Sequence, residues 1–162
     1  MDKRLKYKIK QFTKSILDYD VVCITLTYKQ HMYFKELGRW EDLTEDIMEQ
    51  NLKHFLNLIN SKVFGNGFKR YGKKLKILSK NEYSINRRLH NHLILEKPKR
   101  YDYLIFSKII IQSINKTDWM YMEHHINHPT SMNEKMGWFN YIMKGDLINN
   151  PNNSIDWNNT VL

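Results

Sequence analysis

The sequence predicts an α+β domain of ferredoxin-like or RRM-like build, a single antiparallel sheet with helices packed mainly on one face. Three observations predict it. Strand-like and helix-like segments alternate in the order β-α-β-β-α-β-α. The two middle strands are separated only by a short polar turn, which makes them an antiparallel hairpin. The other connections are short, so the elements must share one core. A chain of 162 residues fits one domain of ordinary size.

Each element has its own local reason. Residues 3–17 are basic, with Leu5, Ile9, Phe12, Ile16 and Leu17 at loosely helical spacing. Val21 to Tyr28 is β-rich and reads as the first strand. A polar loop with Gly38 follows. Asp42 and Glu45 have capping-box spacing and open an amphipathic helix. Its apolar stripe is Leu43, Ile47, Met48, Leu52, Phe55, Leu56, Ile59 and Val63. Gly65-Asn66-Gly67 stops it. A basic loop comes next, then a second strand over Leu75–Tyr83 and a third over Arg88–Glu96, ended by Pro98. Tyr103–Ile114 reads as a second helix and Asp118–His124 as the fourth strand. Ser131 and Glu134 form a second capping box for a last helix running to about Lys144. Residues 1–148 therefore make the domain, and 149–162 an Asn-rich, irregular polar tail.

The formal charge of +9 favours a polyanionic partner, nucleic acid before membrane. Cys23 is the only cysteine, which excludes a disulfide framework and a thiolate zinc site. No signal peptide or membrane-length apolar run is visible, so a cytoplasmic protein is expected. The chain lacks alanine and is rich in Lys, Asn, Ile and Tyr, as expected of an AT-rich phage, plasmid or small bacterial genome.

The chemistry starts at His90-Asn91-His92, inside an apolar strand. Alternate residues of a strand share a face, so the two imidazoles can meet one ion. Phosphate chemistry adds a carboxylate and leaves positions open for substrate oxygens and water. Glu82, across the hairpin, is the candidate, with Glu123 and Asp118 as alternatives; the register decides. Tyr141 and Lys144 are three apart on the last helix and share a face. A phenol attacks phosphorus poorly unaided, and a metal with a nearby lysine removes part of that difficulty. Lys69, Arg70, Lys73, Lys74, Arg87, Arg88, Lys97, Lys99 and Arg100 are expected on loops around the hairpin. Tyr71, Tyr101 and Tyr103 are interleaved with them, a pattern that suits single-stranded nucleic acid. Glu123 to His128 holds three further histidines, read as loop residues rather than a second metal site because Pro129 follows.

Three segments together resemble the HUH endonuclease superfamily, specifically the single-tyrosine rolling-circle replication initiators. They are Ile24-Thr25-Leu26-Thr27-Tyr28, His90-Asn91-His92-Leu93-Ile94-Leu95 and Tyr141-Ile142-Met143-Lys144, in that order, spanning roughly residues 20–146. Asn91 departs from the pattern, which has an apolar residue between the histidines. The resemblance implies the HUH endonuclease fold, with Mg²⁺ or Mn²⁺ held by Glu82, His90 and His92. It also implies attack by Tyr141 on single-stranded DNA at a replication origin, giving a 5′-phosphotyrosine, with Lys144 at the phosphate. A separate helicase and polymerase would act with it. The competing readings are a single-tyrosine transposase of the same superfamily, a non-catalytic RRM-like binding module, and a metal phosphodiesterase using water.

Overall fold

The computed structural model describes residues 7, 11–83, 88–143 and 155–162. Residues 11–14 are helical and run into a 3-10 turn, Ser15–Asp18. The chain then forms β1 (Val21–Tyr28), β2 (His31–Phe34), β3 (Arg39–Asp42), α1 (Glu45–Phe64), α2 (Asn66–Tyr71), β4 (Ile77–Tyr83), β5 (Leu89–Glu96), α3 (Tyr103–Ile114), β6 (Met120–Asn127) and α4 (Met132–Met143).

Four strands make one antiparallel sheet in the order β4-β5-β1-β6. Setting aside the small β2–β3 hairpin, this is the expected α+β arrangement, compatible with a ferredoxin-like fold. β1 and β5 take the centre, and both are largely buried on their two faces, as strands covered on both sides must be. Val22, Ile24 and Leu26 of β1, with Leu93 and Leu95 of β5, pack under α1 and α3. Val21 and Cys23, with Ile94, pack under the 3-10 turn and Phe139, Ile142 and Met143 of α4. The long helices thus share one face as expected, while α4 covers part of the other. Cys23 is buried, and burial pushes its thiol up to about 12, far from a reactive thiolate.

Local chemistry moved several boundaries. The loop expected around Gly38 is a β-hairpin, with Gly38 at φ +62° in its turn. Asp42 is not the helix cap: it pairs with His31 at the open end of that hairpin. Thr44 caps α1 instead, its Oγ1 accepting from the Ile47 N–H at 3.2 Å. The chain turns at Gly65 but restarts at once as α2, so Lys69 and Arg70 are helical rather than in a loop. The second capping box forms as read: Ser131 Oγ accepts from the Glu134 N–H at 3.2 Å, and Glu134 Oε2 accepts from the Ser131 N–H at 3.3 Å.

Two corrections reach further. β6 continues past His124 to Asn127, so His125 also lies on a strand and not in a loop. Pairing with β1 (Leu26 with His124, Thr25 with His125) outweighs the polar composition of the segment. The tail is also ordered over residues 155–162. Ile77 and Val161 exchange two backbone hydrogen bonds of 2.6 and 2.8 Å, and the Asp156 N–H donates to Ser79 O at 3.0 Å. Ile155 enters the core. β4 is an edge strand, and this segment satisfies part of its open ladder. Among the described residues, no helix is long and apolar enough to cross a membrane.

Candidate metal centre and its neighbouring tyrosine

The hairpin register, undetermined from sequence, brings Glu82 beside the two histidines; the side chain of Glu123 lies outside the described residues. Glu82 lies opposite His90 and Lys80 opposite His92. Residues opposite each other across a ladder share a face, so Glu82, His90 and His92 all project from the α4 side of the sheet. Their ligand atoms lie within 4.8 Å of one another. Glu82 Oε2 is 2.8 Å from His92 Nε2 and 3.7 Å from His90 Nε2. Among the described residues this is the one group of three or more such side chains that could hold a metal. Asp118 is exposed and outside it, and its carbonyl accepts from Lys29 Nζ.

The donor set fits an ion. His92 is almost wholly buried, and the one group close to its Nε2 is the Glu82 carboxylate, 2.8 Å away, without the geometry of a good hydrogen bond. A buried ring nitrogen without a well-formed hydrogen bond is costly unless it has another role, and coordination is one. The opposite edges of both rings are held. In the metal-binding tautomer, His92 Nδ1–H donates to Thr25 Oγ1 at 3.1 Å and His90 Nδ1–H to the Arg88 carbonyl at 3.3 Å. Such contacts aim Nε2 at a common point. Burial, with help from the His90 charge, pushes the His92 pKa down to about 4 despite the opposing pull of Glu82. The ring is therefore neutral at ordinary pH, which is the ligating form.

Tyr141 stands beside this cluster. Its ring is 5.4 Å from the His92 ring, nearly perpendicular to it, and 5.9 Å from Trp138 one turn earlier. Tyr141 is 59% exposed, although its neighbours Ile142 and Met143 are buried, so the ring is open to solvent. Lys144, the expected partner of Tyr141, lies outside the described residues, as do Arg87 and the rest of 144–148.

Sequence reading missed Lys80. Its side chain is buried on the same face, and Nζ donates to the carbonyl of Ile142, next to Tyr141. The carbonyl end of a helix carries partial negative charge, which a buried ammonium offsets. The signal was present: Lys80 is two before Glu82 and so shares its face, yet a lone strand lysine suggests solvent.

The expected basic surface divides. Arg88 is exposed at the metal end of β5. Lys69, Arg70, Lys73, Lys74, Lys99 and Arg100 are also exposed, but beyond the far ends of β4 and β5. Five residues separate Glu82 from Ile77, so that end is about 17 Å away along the strands. Lys97 is not available to a ligand. It is buried, ion-paired with Asp20 at 2.7 Å, and donates to the Tyr101 carbonyl at 2.9 Å. Burial alone would raise Asp20, but Lys97 and His128 together hold it below the usual carboxylate range.

Comparison with protein-family models, curated proteins and solved structures finds no match to this chain.

Proposed function

We propose that the protein is an endonuclease and strand transferase that nicks and rejoins single-stranded DNA at a rolling-circle origin, using Tyr141 as nucleophile. One observation carries this reading: an exposed tyrosine stands against the buried histidine of a two-histidine, one-carboxylate cluster. A structural cluster has no need of such a neighbour, whereas phosphoryl transfer requires nucleophile and phosphate activator side by side.

Glu82, His90 and His92 would hold Mg²⁺ or Mn²⁺. When bound, the ion would polarise the scissile phosphate and neutralise charge that develops on its oxygens. Tyr141 Oη attacks phosphorus, and the bond from phosphorus to the 3′-oxygen breaks. The phenol proton leaves to solvent, which the exposure of the ring allows, and the departing 3′-oxygen takes up a proton. The product is a 5′-phosphotyrosine and a free 3′-hydroxyl. The reverse attack by a 3′-hydroxyl rejoins the strand and frees Tyr141, so the cycle needs no nucleotide hydrolysis. Lys80 holds the last turn of α4, and with it the nucleophile, against the sheet. The chain's charge of +9 favours the polyanionic substrate.

The test mixes the protein with labelled single-stranded origin DNA, in Mn²⁺ or in EDTA, and resolves the products on a denaturing gel. A metal-dependent covalent adduct that disappears in Tyr141→Phe is expected. Cleavage that survives Tyr141→Phe without an adduct would transfer the role to water. Binding without cleavage in Mn²⁺ would leave a nucleic-acid-binding module.

A further inference from the structure

A cleft of about 720 Å³ opens on the other side of Tyr141 from the metal cluster, between β1, β6 and α4. That lies in the ~300–1,000 Å³ range of small-ligand sites. Thr25 is part of its lining, along with His125, Trp138 and Tyr141. The His125 and Trp138 rings are 6.1 Å apart and inclined by 31°, and Tyr141 stands nearly perpendicular to Trp138. Asn127 and His125 bring an amide and an imidazole to the lining, 2.9 Å from each other.

The cleft is continuous with the reactive centre. Thr25 pairs with His92 on one side and with His125 on the other. His92, Thr25 and His125 therefore form one cross-strand row, in which His125 is two strand spacings, or about 10 Å, from His92. A chain whose phosphate lies beside His92 and Tyr141 reaches the cleft with its adjacent nucleotide.

Gly137 supplies an independent observation. It lies inside α4, where glycine destabilises relative to alanine. Nothing local demands it: a Cβ there would meet no atom within 4 Å, and its φ is not in the left-handed region. Position 137 lines the cleft. A glycine that the helix does not need, facing a cleft that a side chain would narrow, is explained by an occupant.

We infer that this cleft binds one unstacked nucleobase of the substrate strand, next to the phosphate that Tyr141 attacks. This rests on the endonuclease reading. Aromatic faces take up the base, the polar lining meets its edge, and the shared Tyr141 wall fixes which phosphate is presented. Seating one base there would set the position of the nick.

The test uses the full chain in EDTA, with single-stranded oligo(dA) and an abasic deoxyribose-phosphate strand of equal length. Oligo(dA) should quench tryptophan fluorescence, and Trp138→Phe should remove most of that quenching. Gly137→Leu narrows the cleft without disturbing the helix. It should melt no lower than the wild type and bind oligo(dA) about 5- to 100-fold more weakly, the range expected for losing one stacked base. The abasic strand should bind wild type and Gly137→Leu alike. Undiminished quenching in Trp138→Phe, or wild-type affinity in Gly137→Leu, overturns the inference. If Gly137→Leu binds normally and the Tyr141 adduct still forms, the cleft assignment falls and the endonuclease reading stands. If no strand binds and no adduct forms, both fall.

Discussion

A divalent ion should raise the melting temperature, and only through the three proposed ligands. Donors about 2.1 Å from one ion sit about 3 Å from each other when adjacent. Glu82 Oε2 is already 2.8 Å from His92 Nε2 and 3.7 Å from His90 Nε2, and no pair exceeds 4.8 Å. Closure therefore needs side-chain rotation of about 1–2 Å and no backbone movement. An ion at a hundred times its dissociation constant, bound only by the folded state, stabilises by about 2.7 kcal/mol. At about 2–4 °C per kcal/mol for a chain of this size, the shift is about 5–11 °C. The assay is a thermal melt in Mn²⁺, Mg²⁺ or Zn²⁺, reversed by EDTA. Glu82→Gln and His90→Ala are the controls; both positions are partly exposed, so neither change removes core packing. Each should reduce the shift at the same ion concentration to about 2 °C or less. An undiminished shift in both variants would place the ion elsewhere, and no shift with any of the ions would remove the metal centre.

Three further outcomes follow from the surroundings of the cluster. Thr25→Val removes the hydroxyl that orients His92 but keeps the shape; Mn²⁺ titration should show affinity reduced by about 10–100-fold with the fold intact. Lys80→Met removes a buried charged hydrogen bond to the Ile142 carbonyl, a loss of about 1.5–3 kcal/mol visible in a melt. Because the Lys80 charge opposes positive charge at His92, Mn²⁺ affinity should not fall in this variant; a tenfold loss would contradict its assignment to α4. Asn91→Leu places an apolar residue between the histidines but strands the buried Tyr28 hydroxyl and Asn81, for a cost of about 1–3 kcal/mol per group. A melt no lower than wild type would show that these groups find other partners.

The legible parts of the fold were those whose cause is local. β1, with its continuous apolar run, and α3, with its bounded apolar stripe, fall where the sequence places them. So does the Ser131–Glu134 cap. The hidden parts depend on partners distant in sequence. His125 extends β6 because β1 is there to pair with it. Residues 155–162 are ordered because β4 has an open edge. Within the site, the shared face of His90 and His92 follows from strand periodicity alone. Glu82 needed the hairpin register, and Lys80 needed the position of the α4 carboxyl end. Lys97 is charged yet buried, because Asp20, far away in sequence, holds it inside.

Asn91 shows how one strand serves both purposes. Alternation along β5 sends His90 and His92 to the α4 face and Leu89, Asn91, Leu93 and Leu95 to the other. Asn91 is fully buried there, accepting from the Tyr28 hydroxyl and donating to Asn81, whose own amide donates to Glu49. Glu49 also accepts from Asn158 and Asn159 of the docked C-terminal segment. The polar residue between the histidines thus begins a hydrogen-bonded chain from the middle of β5 through β4 and α1 to the segment beside the edge strand. A fully satisfied buried network specifies one arrangement, because any register slip leaves several groups unpaired. Slippage by one residue between β4 and β5 would also take Glu82 to the opposite face from His90 and His92. The residue that departs from the apolar pattern therefore fixes the same register that brings Glu82, His90 and His92 together.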